Sequence, residues 1–390
     1  MNRLLLAACA FVLLTTGCRK PAMQETPSPS PTPTATPAPQ RVLTVGVFLA
    51  LKGAGQVSSG AALNGLAMAA EEVNASGGVA GQSVRLVVRD TRSEPERTAK
   101  AVRDLITEDK AVALVGGFSG GSAEAVTVAD ESGIPLLSLS STMPGIPSSE
   151  PWVFRICQTD FLSGRAMAKF AAKLGGKRAL VLYDPSSEYS KTLALAFGKQ
   201  FKRKKENRIA GEPFATGTMD FTSHLEMVKK KNPDVVYLPV PADQAVEIIK
   251  KAREMGLTMP ILGTAMWDSP EFAEDLGTTG DNCYFPGRLN PEGASESAKI
   301  FLGSYERKYE VLPSAPAALG YDALAVLVNA VRLAGSTEPA KLREALAGTR
   351  NFPGLTGSVT TDPELARPQP MPILKLENGK GTFLELVDPA

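Results

Sequence analysis

The chain has 390 residues, with 42 Lys and Arg set against 41 Asp and Glu, so its formal net charge is +1. That balance leaves no electrostatic footprint for nucleic acid. The single histidine, with two of the four cysteines (Cys9 and Cys18) in the first eighteen residues, argues against a zinc site.

The first forty residues read as an address and a spacer rather than a fold. Asn2-Arg3 carries one positive charge, Leu4 to Leu14 is apolar, and Thr15-Thr16-Gly17 leads to Cys18. This is the order of an export signal, and the apolar run is too short to cross a bilayer. A cysteine directly after Gly17 resembles the bacterial lipoprotein cleavage box, although Thr15 stands where that box usually has an aliphatic residue. The resemblance implies a signal peptide over 1–17, lipidation of Cys18, and a place on the periplasmic face of a bacterial membrane. Cys18 and residues 19–40 make a Pro/Ser/Thr-rich tether over 18–40, in which Pro alternates mainly with Ser or Thr from Thr26 onward; such a run cannot build a core and favours polyproline II. Such a tether reaches about 70 Å. No later segment reads as a transmembrane helix.

About 350 residues remain, a natural size for two lobes. Val42 to Val47 predicts a strand running into a Gly-rich loop, and Leu63, Leu66, Ala67, Ala70 and Val73 make one stripe of a helix over 59–74. Val84 to Val88 predicts a second strand closing at Asp90. Ser93-Glu94-Pro95-Glu96 has capping-box spacing ahead of a helix that turns Val102, Leu105 and Ile106 inward. Strands at Ala111–Val115 and Pro135–Ser138 follow, with a helix between them. The pattern restarts near 160: helix 161–174, strand Arg178–Tyr183, helix 188–204, a helix opened by Asp220-Phe221-Thr222, strand Asp234–Leu238, helix 242–255 and strand Pro260–Leu262. Such alternation means two parallel sheets covered on both faces, with ligands at the carboxyl ends of strands. The last hundred residues predict helices at 292–308, 316–334 and 338–347, then strands Ile373–Leu376 and Thr382–Leu386 around Asn378-Gly379.

Several motifs invite chemistry. Gly117-Phe118-Ser119-Gly120-Gly121 fits a nucleophile elbow between strand and helix. A hydrolase also needs a histidine base, and His224, in the first turns of a lysine-rich helix, is the one candidate. The expectation is therefore no enzyme. Lys52 to Ser58 loosely matches a dinucleotide loop, but Ser58 replaces its third glycine and Asp90 lies beyond the usual spacing, so no cofactor is expected. Ser119-Gly120-Gly121-Ser122 reads better as an anion cradle, because glycines admit close approach and the following helix offers free N–H groups. Ser140-Ser141-Thr142 supplies a second hydroxyl cluster at what would be the same sheet edge. Helix capping and turn formation are the alternative reading of both clusters. Outside the leader, Cys157 and Cys283 are the remaining cysteines, and their pairing is left open.

A family resemblance rests on many short runs: Leu63-Asn64-Gly65 through Glu71-Glu72-Val73-Asn74-Ala75-Ser76-Gly77-Gly78-Val79-Ala80-Gly81; Gly133-Ile134-Pro135 leading to Ser141-Thr142-Met143-Pro144; Val153-Phe154-Arg155; Asp220-Phe221; Pro233-Asp234-Val235-Val236; Gly320-Tyr321-Asp322-Ala323; and Gly354-Leu355-Thr356-Gly357. Together they resemble the leucine/isoleucine/valine-binding class of type I periplasmic binding proteins, from about residue 42 to 386. The resemblance implies an α/β protein of two Rossmann-like lobes joined by a three-strand hinge. Lobe one would be 41–157 plus 289–360, and lobe two 158–288 plus 361–390. It implies capture of an amino acid or similar small carboxylate between the lobes and delivery to an ABC permease. Ser119, Ser122, Ser141 and Thr142 would hold the ligand from lobe one, and Tyr189 would close over it from lobe two. Three positions depart from the class. Ser58 replaces a capping aromatic, Pro239-Val240-Pro241-Ala242 replaces a tyrosine-bearing stretch, and Ala265 stands where an acid meets the ligand ammonium. Either Asp268 or Asp322 then supplies the missing charge, or the ligand has no amino group; Trp267 would stack on a planar ligand or sit in the core. Lipoproteins of similar fold also regulate cell-wall synthases, so an envelope regulator is the alternative from another class; ligand-induced thermal stabilisation separates the two.

Overall fold

The computed structural model describes residues 41–53, 55–117, 122–139, 152–156, 159–287, 295–361 and 369–390. The leader, Cys18 and the Pro-rich tether lie outside them, as do Ser119, Ser141, Thr142 and Cys157.

The first sheet is built from β1 (Arg41–Leu49), β2 (Gln82–Asp90), β3 (Ala113–Gly116), β4 (Leu136–Ser138) and β5 (Val153–Arg155), threaded by α1 (Gln56–Ala75), α2 (Pro95–Thr107) and α3 (Ser122–Ser132). Its order is β2-β1-β3-β4-β5, all parallel. Alternation along β1 shows how both faces are filled. Leu43, Val45, Val47 and Leu49 enter one core, while Phe48 enters another with Val102, Leu105 and Val128. The chain then runs through α4 (Asp160–Lys173), β6 (Arg178–Tyr183), α5 (Glu188–Phe201), β7 (Arg208–Pro213), α6 (Thr222–Lys231), β8 (Val235–Tyr237), α7 (Ala242–Glu254), β9 (Ile261–Leu262), α8 (Pro270–Leu276) and β10 (Cys283–Pro286). Helices α9 (Glu296–Tyr309), α10 (Ala315–Ala334) and α11 (Pro339–Ala347) follow. A small hairpin of β11 (Phe352–Gly354) and β12 (Gly357–Val359) comes next, and β13 (Met371–Glu377) and β14 (Lys380–Val387) end the chain.

The second sheet has the order β14-β13-β10-β9-β8-β6-β7. Its five strands from β6 to β10 are parallel and repeat the order of the first sheet, and β13 and β14 add an antiparallel margin. Again the strands divide their side chains. Leu180, Leu182, Val236 and Phe285 pack under α6, α7 and α8; Ala179, Val181, Val235 and Tyr237 pack under α4 and α5. The hairpin turn is Asn378-Gly379, both with positive φ (51° and 71°), as a two-residue primed turn requires.

Three expectations are corrected. The cap of α2 falls on Glu94, not Ser93, because Pro95 occupies the first turn with its φ already helical; Glu94 makes no side-chain cap bond. The edge strand β7, the short β10, helix α8 and the β11–β12 hairpin had no counterpart in the predicted pattern. Finally, α10 is twenty residues long and apolar enough by composition to cross a membrane. Here it is a core helix instead: Leu319, Ala323, Leu324, Leu327 and Val331 are buried with Leu66 and Ala69 of α1 and the strands of the first sheet. An apolar helix of this kind is either a span or a buried strut, and packing decides which.

Candidate functional site

In a parallel sheet, the loops that leave the carboxyl ends of strands on either side of the order reversal open a crevice. In the first sheet the reversal lies between β1 and β3, and in the second between β6 and β8. The loop after β1 turns through Gly53 and Gly55, both in the left-handed region (φ 76° and 83°), before α1 begins. It is anchored from β2, where Asp90 Oδ1 accepts the amide of Leu51 at 2.9 Å and that of Arg92 at 3.1 Å. Partial burial pulls the Asp90 pKa upward, but the Leu51 and Arg92 amides outweigh it and hold the carboxyl below its ordinary range. Asp90 is therefore a brace for this loop, not a ribose acceptor.

Strands β3 and β4 are neighbours in register (Leu114 beside Leu136), so the loops that follow them leave the same edge side by side. Those loops carry Ser119, Ser141 and Thr142, which lie outside the described residues. Ser122 is placed as the first residue of α3.

In the second sheet the loop after β6 is tightly tied. Asp184 Oδ1 accepts the Ser186 amide at 2.8 Å and Oδ2 accepts the Thr216 hydroxyl at 2.6 Å. Ser187 caps α5 by accepting the Ser190 amide. Tyr189, in the first turn of α5, is half-buried against the core that holds Phe197 and Tyr237. Tyr237 ends β8, its ring stacked 4.4 Å from that of Phe197. Its hydroxyl is buried without a hydrogen-bond partner among the described residues, and that burial pushes its pKa well above the usual phenol value.

The loops after β8 and β9 lock together. Val240 O accepts the Trp267 indole N–H at 3.0 Å and the Thr264 hydroxyl at 3.5 Å. Trp267 is fully buried, with Phe272 at 5.0 Å and Phe285 at 6.2 Å between ring centroids. A side chain at Gly263 would meet the Trp267 ring at about 2.1 Å, so glycine is the residue that lets the indole fold back over the strand. The structure thus gives Trp267 a core part rather than a stacking one. Trp267→Phe loses the bond to Val240 and some volume, and it is expected to lower stability by about 1–3 kcal/mol while leaving solute affinity unchanged at low temperature. Denaturant melts and calorimetry on the same preparation check both halves. Ala265 and Asp268, at either end of this turn, are half-buried.

Asp322 is also removed from the list of free charges. It lies in α10 at 1% exposure and accepts the Leu355 amide at 2.7 Å, the Thr356 amide at 2.9 Å and the Thr356 hydroxyl at 2.6 Å. Burial raises its pKa despite these donors. Sequence spacing had no means of finding this role, because the partner turn lies 33 residues away. His224 is likewise occupied: its Nδ1 lies 3.4 Å from Glu212 Oε1, and its ring lies against Phe214 and Phe221. Cys283 is a free thiol in the core, pushed up to about 12 by burial, and so inert.

Two sheets whose five parallel strands run in the same order, each with its order reversal at the carboxyl edge, make the fold of a type I periplasmic binding protein. The comparisons agree. The family model described as periplasmic binding protein matches residues 42–381. An "Amino acid binding protein" of Pseudomonas aeruginosa is 29% identical over 295 residues, 72% of this chain and 76% of that one. Among solved structures, the leucine binding protein LivK of Thermotoga maritima superposes with a TM-score of 0.81 at 31% identity, covering 89% of this chain and 99% of its own. LivJ of Streptococcus pneumoniae, a branched-chain amino acid transporter substrate binding protein solved with isoleucine, gives 0.82 at 30% identity, covering 90% and 100%. The chain belongs to the periplasmic binding protein family, whose members bind substrates and act outside the cytoplasm.

Proposed function

We propose that this protein is the solute-binding component of an ABC importer, lipid-anchored through Cys18 outside the cytoplasm, and that it holds an amino acid or similar small carboxylate between its two lobes. The observation that carries this reading is the match, over 90% of this chain and 100% of the other, to LivJ, which was solved with isoleucine bound. The β3 and β4 loops, leaving adjacent strands at one edge, would present the hydroxyls of Ser119, Ser141 and Thr142 and the helix amides near Ser122 to one carboxylate. The solute docks there first. Tyr189, and the Asp268 end of the turn after β9, then favour the closed form that a permease reads. Micromolar affinity is about −8 kcal/mol, enough to overcome an open-state preference of a few kcal/mol.

Mass spectrometry of the small molecule retained after gentle purification names the solute. Calorimetry with Ser119→Ala and Thr142→Ala is then expected to show affinity reduced about tenfold or more. Unchanged affinity in both variants removes these loops from the site.

A further inference from the structure

The near-even charge of the whole chain conceals an uneven spread. Helices α4, α5 and α6 run back along the second sheet, and each ends just ahead of the strand that follows it, β6, β7 or β8. Those strands are neighbours in the order β8-β6-β7, with Arg178 beside Arg208 and Ala179 beside Val235. The segments 173–178, 199–208 and 229–234 therefore meet at one place, the amino edge of the sheet. They hold twelve Lys and Arg and two acids, Glu206 and Asp234, a balance of +10. The chain as a whole is +1, so all its other residues together sum to −9.

Local pairing accounts for little of this. Arg178 meets Asp234 at 2.7 Å, Lys231 meets Glu212 at 3.0 Å, and Lys173 meets Glu385. Among the described residues no acid pairs with the other nine cations, all exposed, which include the run Lys202-Arg203-Lys204-Lys205. Cations suit helix C-termini, but each dipole offers only about half a negative charge, and three helix ends do not balance such an excess. An edge this positive, held together against its own repulsion, is matched to an anionic surface.

The side chains indicate which kind. Nine of the twelve cations are lysines, flexible point charges without arginine's planar fork. Phe201, the one aromatic residue of these segments, is buried, so the edge offers no platform for stacking bases. Leu195 is 66% exposed on α5, one and two turns ahead of Lys199 and Lys202 on the same stripe. Leu174 is 38% exposed where α4 ends beside Lys173. The two helices are packed together through Phe170, Leu193 and Phe197. Exposed leucines among lysines suit a bilayer interface, where the apolar groups enter the headgroup layer and the amines meet phosphate.

We propose that the amino edge of the second sheet rests on a bilayer surface containing anionic phospholipid. The tether, about 70 Å at full reach, keeps the domain close enough to do so. This rests on the reading of the chain as held at a membrane, and on no particular solute. The carboxyl edge, where the solute loops leave the sheet, is at the other end of the strands and is left uncovered.

The test uses the chain from residue 18 with Cys18→Ser, so that no acyl group contributes. Its probes are vesicles of phosphatidylcholine alone, and of two parts phosphatidylcholine to one of phosphatidylglycerol. Co-sedimentation in dilute buffer is expected with the mixed vesicles only, and about 0.5 M salt should release the protein. Lys202→Gln, Lys204→Gln and Lys205→Gln combined should weaken binding about a hundredfold, near fivefold for each charge. Lys100→Gln, Lys299→Gln and Lys341→Gln remove the same charge from α2, α9 and α11, and should leave binding within about twofold. No uptake by the mixed vesicles, equal uptake by both kinds, or equal loss in the two triple variants overturns the proposal. So does a dimer, formed without vesicles, that the first triple variant dissolves, since the edge would then belong to a second copy. Acylation of Cys18 is read separately, by fatty-acid labelling, so a failure here leaves the anchor in place.

Discussion

Asp322→Ala is expected to lower the stability of the folded chain by about 3–5 kcal/mol, since removing one partner of a buried charge-assisted network leaves the others desolvated and unpaired. The carboxylate is the acceptor for three donors from a single turn, the Leu355 and Thr356 amides and the Thr356 hydroxyl. It pins that turn, between β11 and β12, to α10. The fit is close: a Cβ at Gly354 would approach Asp322 Oδ2 to 2.7 Å. Asn is nearly isosteric but turns one acceptor into a donor, so it meets an N–H with an N–H, and Asp322→Asn should cost about 2 kcal/mol. Denaturant midpoints with unchanged slopes would report both losses as losses of stability. A variant as stable as the parent would show that the three bonds are replaced by water without cost.

Gly320→Ala and Gly65→Ala should each destabilise the protein by about 3 kcal/mol, against the sign that helix propensity alone would give. Both residues are inside helices, where alanine is ordinarily the better former by about 0.5–1 kcal/mol. Here α1 and α10 cross with backbone against backbone. A Cβ at Gly65 would lie 1.9 Å from the Ala317 carbonyl oxygen, and one at Gly320 would lie 2.1 Å from that of Ala62. Neither obstacle is a flexible side chain, so the helices must move apart and open the core around Leu66, Leu319 and Leu324. Once they have moved, the second methyl enters space already made. The double variant is therefore expected to lose less than the two single losses added together, a coupling that a denaturation cycle measures directly. Additive losses would place the two clashes at independent contacts.

The parallel sheets were legible in the chain because strands buried on both faces read as unbroken apolar runs. Val235-Val236-Tyr237-Leu238 is such a run, and it lies where β8 does. By the same logic β7 was not legible: Arg208–Pro213 is an edge strand with half-exposed and exposed residues throughout, so no apolar run marks it. β10 is four residues and α8 seven, too short for any period to show. The turn residues Asn378-Gly379 were legible because a positive φ restricts which residues serve.

For the site, what sequence by itself determined was local chemistry: glycines and hydroxyls in the loops after apolar runs, a near-neutral charge balance, and an apolar segment ahead of Cys18. These follow from residue type and spacing alone. Tertiary structure decided which of those groups are still free to act. Trp267 was claimed by Val240 and two phenylalanines, and Asp322 by a turn 33 residues further on, whereas the Ser59 hydroxyl was left without a partner among the described residues. The reason is that a polar group's availability depends on what folds against it from distant parts of the chain. No local pattern records that competition.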